Sequence, residues 1–163
     1  MAMVFLLRHA DAVDGDPDAI RALSAKGRRQ CARVGRDLGF EVWSRVRCLE
    51  HSPLLRSVDT AARVKAAAKV RHPLRELAGL EPEADPRATA RLLAKSRTAR
   101  FLIGHNPHLA ALVGLLLGLR GGAEGIHFRK ATWVALERLA GPTTRRPYGS
   151  WRLKAMVAPA PGR

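Results

Sequence analysis

With 163 residues, 47% of them hydrophobic, the chain is long enough to bury a core without disulfide or metal staples. Its two cysteines, Cys31 and Cys48, stand far apart and outside any C-x-x-C pattern, which argues against a disulfide framework or thiolate zinc site and fits a reducing cytoplasm. The net charge of +15 suits an anionic ligand, but aromatics at 5% and the lack of a helix-turn-helix, RNP or zinc-finger pattern speak against nucleic-acid binding.

Met3 to Leu7 reads as a short strand, apolar on both faces as in a parallel sheet. Asp11 to Asp18, rich in Asp, Gly and Pro, reads as a loop. Ser24 is placed to cap a helix running to about Leu38, with Cys31, Val34 and Leu38 along one side and Gly39 as its stop. Val46 to Glu50 reads as a second strand, after which Ser52 and Pro53 are expected to open a helix as N-cap and first helical residue. A weak strand is expected over Lys69 to His72, and a loop over Arg75 to Pro86. Pro86 to Ala94 suggests a helix, Arg100 to Ile103 a third confident strand, and Gly104 to Pro107 a turn.

The apolar run Leu109 to Leu119 is too short to span a membrane and reads as a core helix, and Val4 to Leu7 is too short for a signal peptide. A loop begins at Gly121 and Gly122. Thr132 to Leu136 and Trp151 to Val157 read as two closing strands, anchored in the core by Trp133 and Trp151, and Ala158 to Arg163 as a loose tail. No repeat or linker divides the chain, so residues 1–163 read as one domain. The alternation of strand and helix predicts a three-layer α/β/α sandwich with a mostly parallel central sheet.

In such sheets ligands bind beyond the carboxyl ends of the strands. Arg8 and His9 follow the first strand, His51, Ser52 and Arg56 the second, and His105 and Asn106 the strand at Arg100 to Ile103. Arg56 lies in the first turn of its helix, where side chains lean back towards the sheet edge and the helix start attracts anions. Arginines forked around an imidazole suit phosphoryl transfer.

The stretches LLRHAD (Leu6 to Asp11), SPLLRSVDTA (Ser52 to Ala61) and GHNP (Gly104 to Pro107) resemble the R-H-G/A, S-x-x-x-R-x-x-x-T-A and second-histidine motifs of the histidine phosphatase, or phosphoglycerate mutase-like, superfamily. The short chain and AIRALSAKG (Ala19 to Gly27) are most similar to its small SixA-type phosphohistidine phosphatases. The resemblance implies that His9 is a nucleophile that is transiently phosphorylated, and that Arg8, Arg56 and His105 bind the phosphoryl oxygens and stabilise transition-state charge. Arg21 would add a phosphate contact. No cofactor or metal is implied. Surrounding positive charge should keep His9 neutral with a free lone pair.

Ala10 replaces the family's frequent glycine. No motif singles out an acid for the leaving group among Glu76, Glu81, Glu83 and Asp85. Ser52 reads as a helix cap, since no Asp-His relay surrounds it. His105 with His108 lacks a carboxylate or thiolate partner for zinc. His108 reads as a first-turn helix residue near the pocket, and His51, His72 and His127 as surface or loop residues. The expected substrate is a phosphohistidine on a signalling or phosphotransfer protein, because a short chain has no capping insertion and protonated imidazole leaves readily. A small phosphate ester, a mutase reaction, and a phosphate- or nucleic-acid-binding module without turnover are the other readings. A membrane partner is not expected.

Overall fold

Val4, Phe5, Leu6 and Leu7 are all buried, but they serve two different cores because successive strand side chains point to opposite faces. The computed structural model describes residues 2–161. Its strands are β1 (Met3–Arg8), β2 (Val46–His51), β3 (Leu74–Glu76), β4 (Ala99–Gly104), β5 (Trp133–Ala140) and β6 (Ser150–Val157), and its helices α1 (Ala25–Asp37), α2 (Phe40–Trp43), α3 (Leu55–Ala68), α4 (Pro86–Lys95) and α5 (His108–Leu117). The strands form one six-stranded sheet in the order β3-β2-β4-β1-β5-β6. β1 to β4 run parallel; β5 pairs antiparallel with β1, and β6 antiparallel with β5.

Phe5 and Leu7 join Cys31, Val34, Val64 and Trp43 beneath α1, α2 and α3. Val4 and Leu6 join Leu93, Leu109, Leu112 and Phe128 beneath α4 and α5. Two helical layers thus sandwich the sheet, as the alternation predicts. Glu50, buried in β2, is satisfied by a forked ion pair with Arg100 on the neighbouring β4. Among the described residues, no helix is long and apolar enough to cross a membrane.

Several boundaries differ from the sequence reading for identifiable reasons. Ser24 caps α1 as expected, its hydroxyl accepting from Gly27 N–H, but Gly39 is not a left-handed stop. It has φ −78 and leads straight into α2, which carries Val42 and Trp43 into the core. α3 starts at Leu55 with Leu54 as N-cap, because the Ser52 hydroxyl is engaged elsewhere. The strand expected at Lys69 to His72 lies instead at Leu74–Glu76: Lys69 ends α3 with φ 56, and this edge strand is set only by its pairing to β2, Leu49 opposite Leu74. The expected loop from Arg75 therefore starts at Leu77. Trp151 is buried, whereas Trp133 is only half-buried against the first core. Of the tail expected to be loose, 158–161 has no regular secondary structure, and Gly162 and Arg163 lie outside the described residues.

Candidate active site

The sheet order makes β2, β4 and β1 neighbours, so their exits share one edge. The backbone ties the exits together: His9 N–H donates to the Gly104 carbonyl at 2.9 Å, and Ser52 N–H to the Ile103 carbonyl at 3.2 Å. A further stitch explains the threonine of the second motif. Thr60 on α3 accepts from Ala10 N–H at 3.0 Å and donates to the Arg56 carbonyl at 2.7 Å, fastening the helix that carries Arg56 to the segment that carries His9. The sequence reading assigned Thr60 no such role.

His9 is buried, and its Nδ1 contacts the Ala10 carbonyl at 2.7 Å. A carbonyl only accepts, so Nδ1 bears the proton and Nε2 the lone pair. Burial pushes the His9 pKa down to about 4. The Ala10 bond opposes this, and the charges of Arg56, Arg8 and Lys130 reinforce it. His105 is also buried, its ring centre 4.9 Å from that of His9, and burial, His9 and Arg56 bring its pKa down to about 3. Both rings are neutral at ordinary pH.

His105 Nε2 lies 2.5 Å from Ser52 Oγ, whose other partner is the Leu54 N–H at 3.4 Å. The Ser52 hydroxyl proton has no other acceptor among the described residues, so it donates to Nε2. Nδ1 of His105 then bears its ring's proton and has no protein partner. Ser52 is accordingly not the helix cap expected from sequence; it fixes the tautomer of His105.

Both arginines are anchored by their outer nitrogens. Arg8 Nη1 donates to the Phe128 carbonyl at 2.9 Å, which also receives Asn106 Nδ2. Arg56 donates through Nη1 to the Asp18 carbonyl at 3.0 Å and through Nη2 to Asp18 Oδ2 at 3.1 Å. The Nε of each is buried without a protein partner. Buried donors normally have one, and three such N–H groups, on Arg8, Arg56 and His105, form the donor set an anion with several oxygens requires.

Arg21 is placed differently. It donates through Nε to the Val13 carbonyl at 2.8 Å and through Nη1 to Asp18 Oδ1 at 3.0 Å. It thus meets Arg56 through Asp18, a link whose only sequence signal is the three-residue spacing of Asp18 and Arg21. Asp18 is held below the usual carboxylate range by Arg21 first and Arg56 second, so it stays an anion and is no proton donor.

The acids of the 77–85 loop are engaged locally or exposed. Asp85 caps α4 by accepting from Arg87 N–H, and Glu81 accepts from Gly79 N–H. Glu76, at the end of β3, and Glu83 are exposed. His108 does start α5, but it is buried and donates from Nδ1 to the Ala84 carbonyl in that loop. His51 is not a surface residue as expected: it is buried in β2 with Nδ1 donating to the Ser52 carbonyl, and His72 is half-buried against Trp43. His127 is exposed, as expected.

The sequence matches no protein-family model and no curated protein sequence. Its structure resembles that of the protein histidine phosphatase SixA complexed with tungstate (TM-score 0.76, 18% identity, 96% of each chain covered). It also resembles a SixA structure from Agrobacterium tumefaciens (0.75, 23% identity, 96% of this chain and 97% of that one). A phosphoserine phosphatase from Entamoeba histolytica in complex with 3-phosphoglyceric acid matches with TM-score 0.71 and 12% identity over 98% of each chain. The protein therefore has the phosphoglycerate mutase-like fold, the α/β/α sandwich common to these phosphatase structures.

Proposed function

We propose that the chain, one domain over residues 1–163, is a phosphatase that works through phosphorylated His9 and acts on phosphohistidine carried by another protein. The observation carrying this reading is the set of partnerless buried donors, Arg8 Nε, Arg56 Nε and His105 Nδ1, on residues beside His9, an imidazole with a free Nε2 lone pair: the His105 ring lies 4.9 Å from it, and it feels the charges of Arg56 and Arg8. In the first step His9 Nε2 attacks phosphorus and the bond from phosphorus to the leaving nitrogen breaks. That nitrogen departs as neutral imidazole because its ring is already protonated at the other nitrogen. In the second step water attacks phosphorus, the bond to Nε2 breaks, and the water proton leaves with phosphate or solvent. The fixed cations bind the oxygens throughout and need no reorganisation. No strong proton donor is needed for such a leaving group, which fits a site in which Asp18, the carboxylate bonded to Arg56, is ionised. The SixA structures support phosphohistidine; the phosphoserine phosphatase keeps a small ester as the competing substrate.

The test is to offer the protein histidine-phosphorylated carrier domains beside a panel of sugar, nucleotide and amino-acid monoesters. Higher kcat/KM on the carriers, an acid-labile phosphoenzyme, and loss of both in His9→Ala are expected. Turnover surviving in His9→Ala overturns the mechanism, and a much faster small ester overturns the substrate.

A further inference from the structure

We propose that the α1 face beside the pocket is a docking surface for an acidic protein, the bearer of the phosphoryl group; the proposal rests on the phosphatase reading above. Two adjoining grooves run along α1. One, about 460 Å3, lies between α1 and Ile126–Lys130 and includes Arg8 and Asn106 of the candidate site. The other, about 710 Å3, lies between α1 and Pro159–Pro161. They share Lys26 and Gln30, so they form one trough leading away from Arg8.

The trough is basic along its length. Lys26, Arg29 and Arg33 are spaced at three and four residues, which puts them on one exposed helix face. Arg129 and Lys130 stand across from Lys26. Among the described residues Asp11 is its only acidic lining residue, already bonded to Lys130 at 2.9 Å and to the Ser24 hydroxyl at 2.6 Å. Arg33 makes only a loose 3.8 Å pair with Asp37, both side chains more than half exposed. This is not simply the net charge spread evenly. Asp14, Asp16 and Asp18 follow β1, and Glu81, Glu83 and Asp85 follow β3, so acids lie in the loops after these strand exits, whereas α1 carries five basic residues against one acid, Asp37, at its C-terminal end.

The extent of the face selects the occupant. Lys26 to Arg33 spans about 10 Å at the helical rise, beyond the reach of a small ester whose phosphoryl group sits at His9. A macromolecular anion is required. Single-stranded nucleic acid would use aromatic stacking, yet among the described residues the trough's sole aromatic apart from His127 is the buried Phe128, and a duplex would call for a groove-reading motif, which the sequence lacks. A membrane surface would call for exposed apolar anchors, and none of the large exposed ones, such as Phe40, Ile20 and Leu119, lines the trough. An acidic protein face flanking the phosphorylated residue fits the charge and the length.

The test compares wild type with the double variant Arg29→Glu, Arg33→Glu on two substrates, an acidic phosphotransfer domain phosphorylated on histidine and p-nitrophenyl phosphate. The variant should lose about tenfold or more in kcat/KM on the domain, mostly through KM, and stay within about twofold on the ester. The wild-type advantage should shrink as salt is added. Equal losses on both substrates, or none on the domain, overturn the proposal. Binding of the same phosphorylated domain to His9→Ala, with and without the two reversals, reads docking apart from turnover. Weaker binding upholds the surface even if wild type proves inactive, and unchanged binding overturns it.

Discussion

Asp18 grips Arg56 at two points, its backbone carbonyl on Nη1 and its carboxylate on Nη2, while the other carboxylate oxygen holds Arg21. This turns the outer edge of the Arg56 guanidinium towards the Asp18–Ile20 turn and leaves Nε without a protein partner. Asp18 thereby fixes where the Arg56 guanidinium lies and joins Arg21 to it. Asp18→Ala should lower kcat/KM about tenfold with most of the change in KM, whereas Asp18→Asn, which keeps an acceptor, should recover much of it. A rise in kcat/KM for Asp18→Ala would show instead that the carboxylate competes with the phosphoryl group.

Ser52 and His105 make a second prediction. With the Ser52 hydroxyl donating to Nε2, His105 presents Nδ1–H as a neutral donor. Ser52→Ala removes that constraint and lets the ring exchange tautomers, so kcat should fall about tenfold. Ser52→Thr should restore part of it. The 15N shifts of His105 provide the independent readout: an Nδ1–H ring in wild type and a mixture in Ser52→Ala. An unchanged tautomer with unchanged kcat would refute the assignment.

The depressed histidines set the pH behaviour. Unfolded histidine takes up a proton near pH 6.5, but folded His9 does so only near 4 and His105 near 3. Between those values the unfolded chain binds more protons, so stability is full above 6.5 and falls as pH drops towards 4 and then 3. At pH 5 the loss should be on the order of 1 to 2 kcal/mol per ring, seen as a lower Tm than at pH 7. The limb of kcat/KM due to nucleophile protonation should lie near pH 4, with the substrate's own titration measured separately. A nucleophile limb near 6.5 would contradict the buried, neutral His9.

Gly27, the last residue of AIRALSAKG, packs its α-carbon against the segment following His9. A Cβ there would collide with the Asp11 carbonyl oxygen. Gly27→Ala should therefore cost roughly 2 kcal/mol or more and also lower activity, because relief requires moving the chain next to His9. Gly39 supplies the control: nothing lies within 4 Å of its Cβ position and its φ is −78, so Gly39→Ala should leave both stability and activity near wild type. Equal Tm values for the two variants would refute the close-approach role of Gly27.

Much of the architecture is legible locally. Val4 to Leu7 must be a buried strand because the run has no polar face, and Ser24 and the Asp85-Pro86 pair mark helix starts through groups within three residues of each other. Parallel strands place their exits on one edge, so Arg8, His9, Arg56 and His105 could be grouped before any coordinates. β3 departs from the expected position because its three residues carry no periodicity of their own; the partner strand decides where it lies.

Legible before folding are the features whose physical cause lies within one turn or one strand: the apolar runs, the caps, and the three motifs at their exits. Assembly of the whole chain brings Ser52 to His105 across 53 positions and Asp18 to Arg56 across 38. It likewise lets Thr60 fasten α3 to Ala10 across 50. A hydroxyl or carboxylate has several possible partners of equal chemistry. Which one it meets depends on sheet order and register, which are properties of the whole assembled chain and not of any segment.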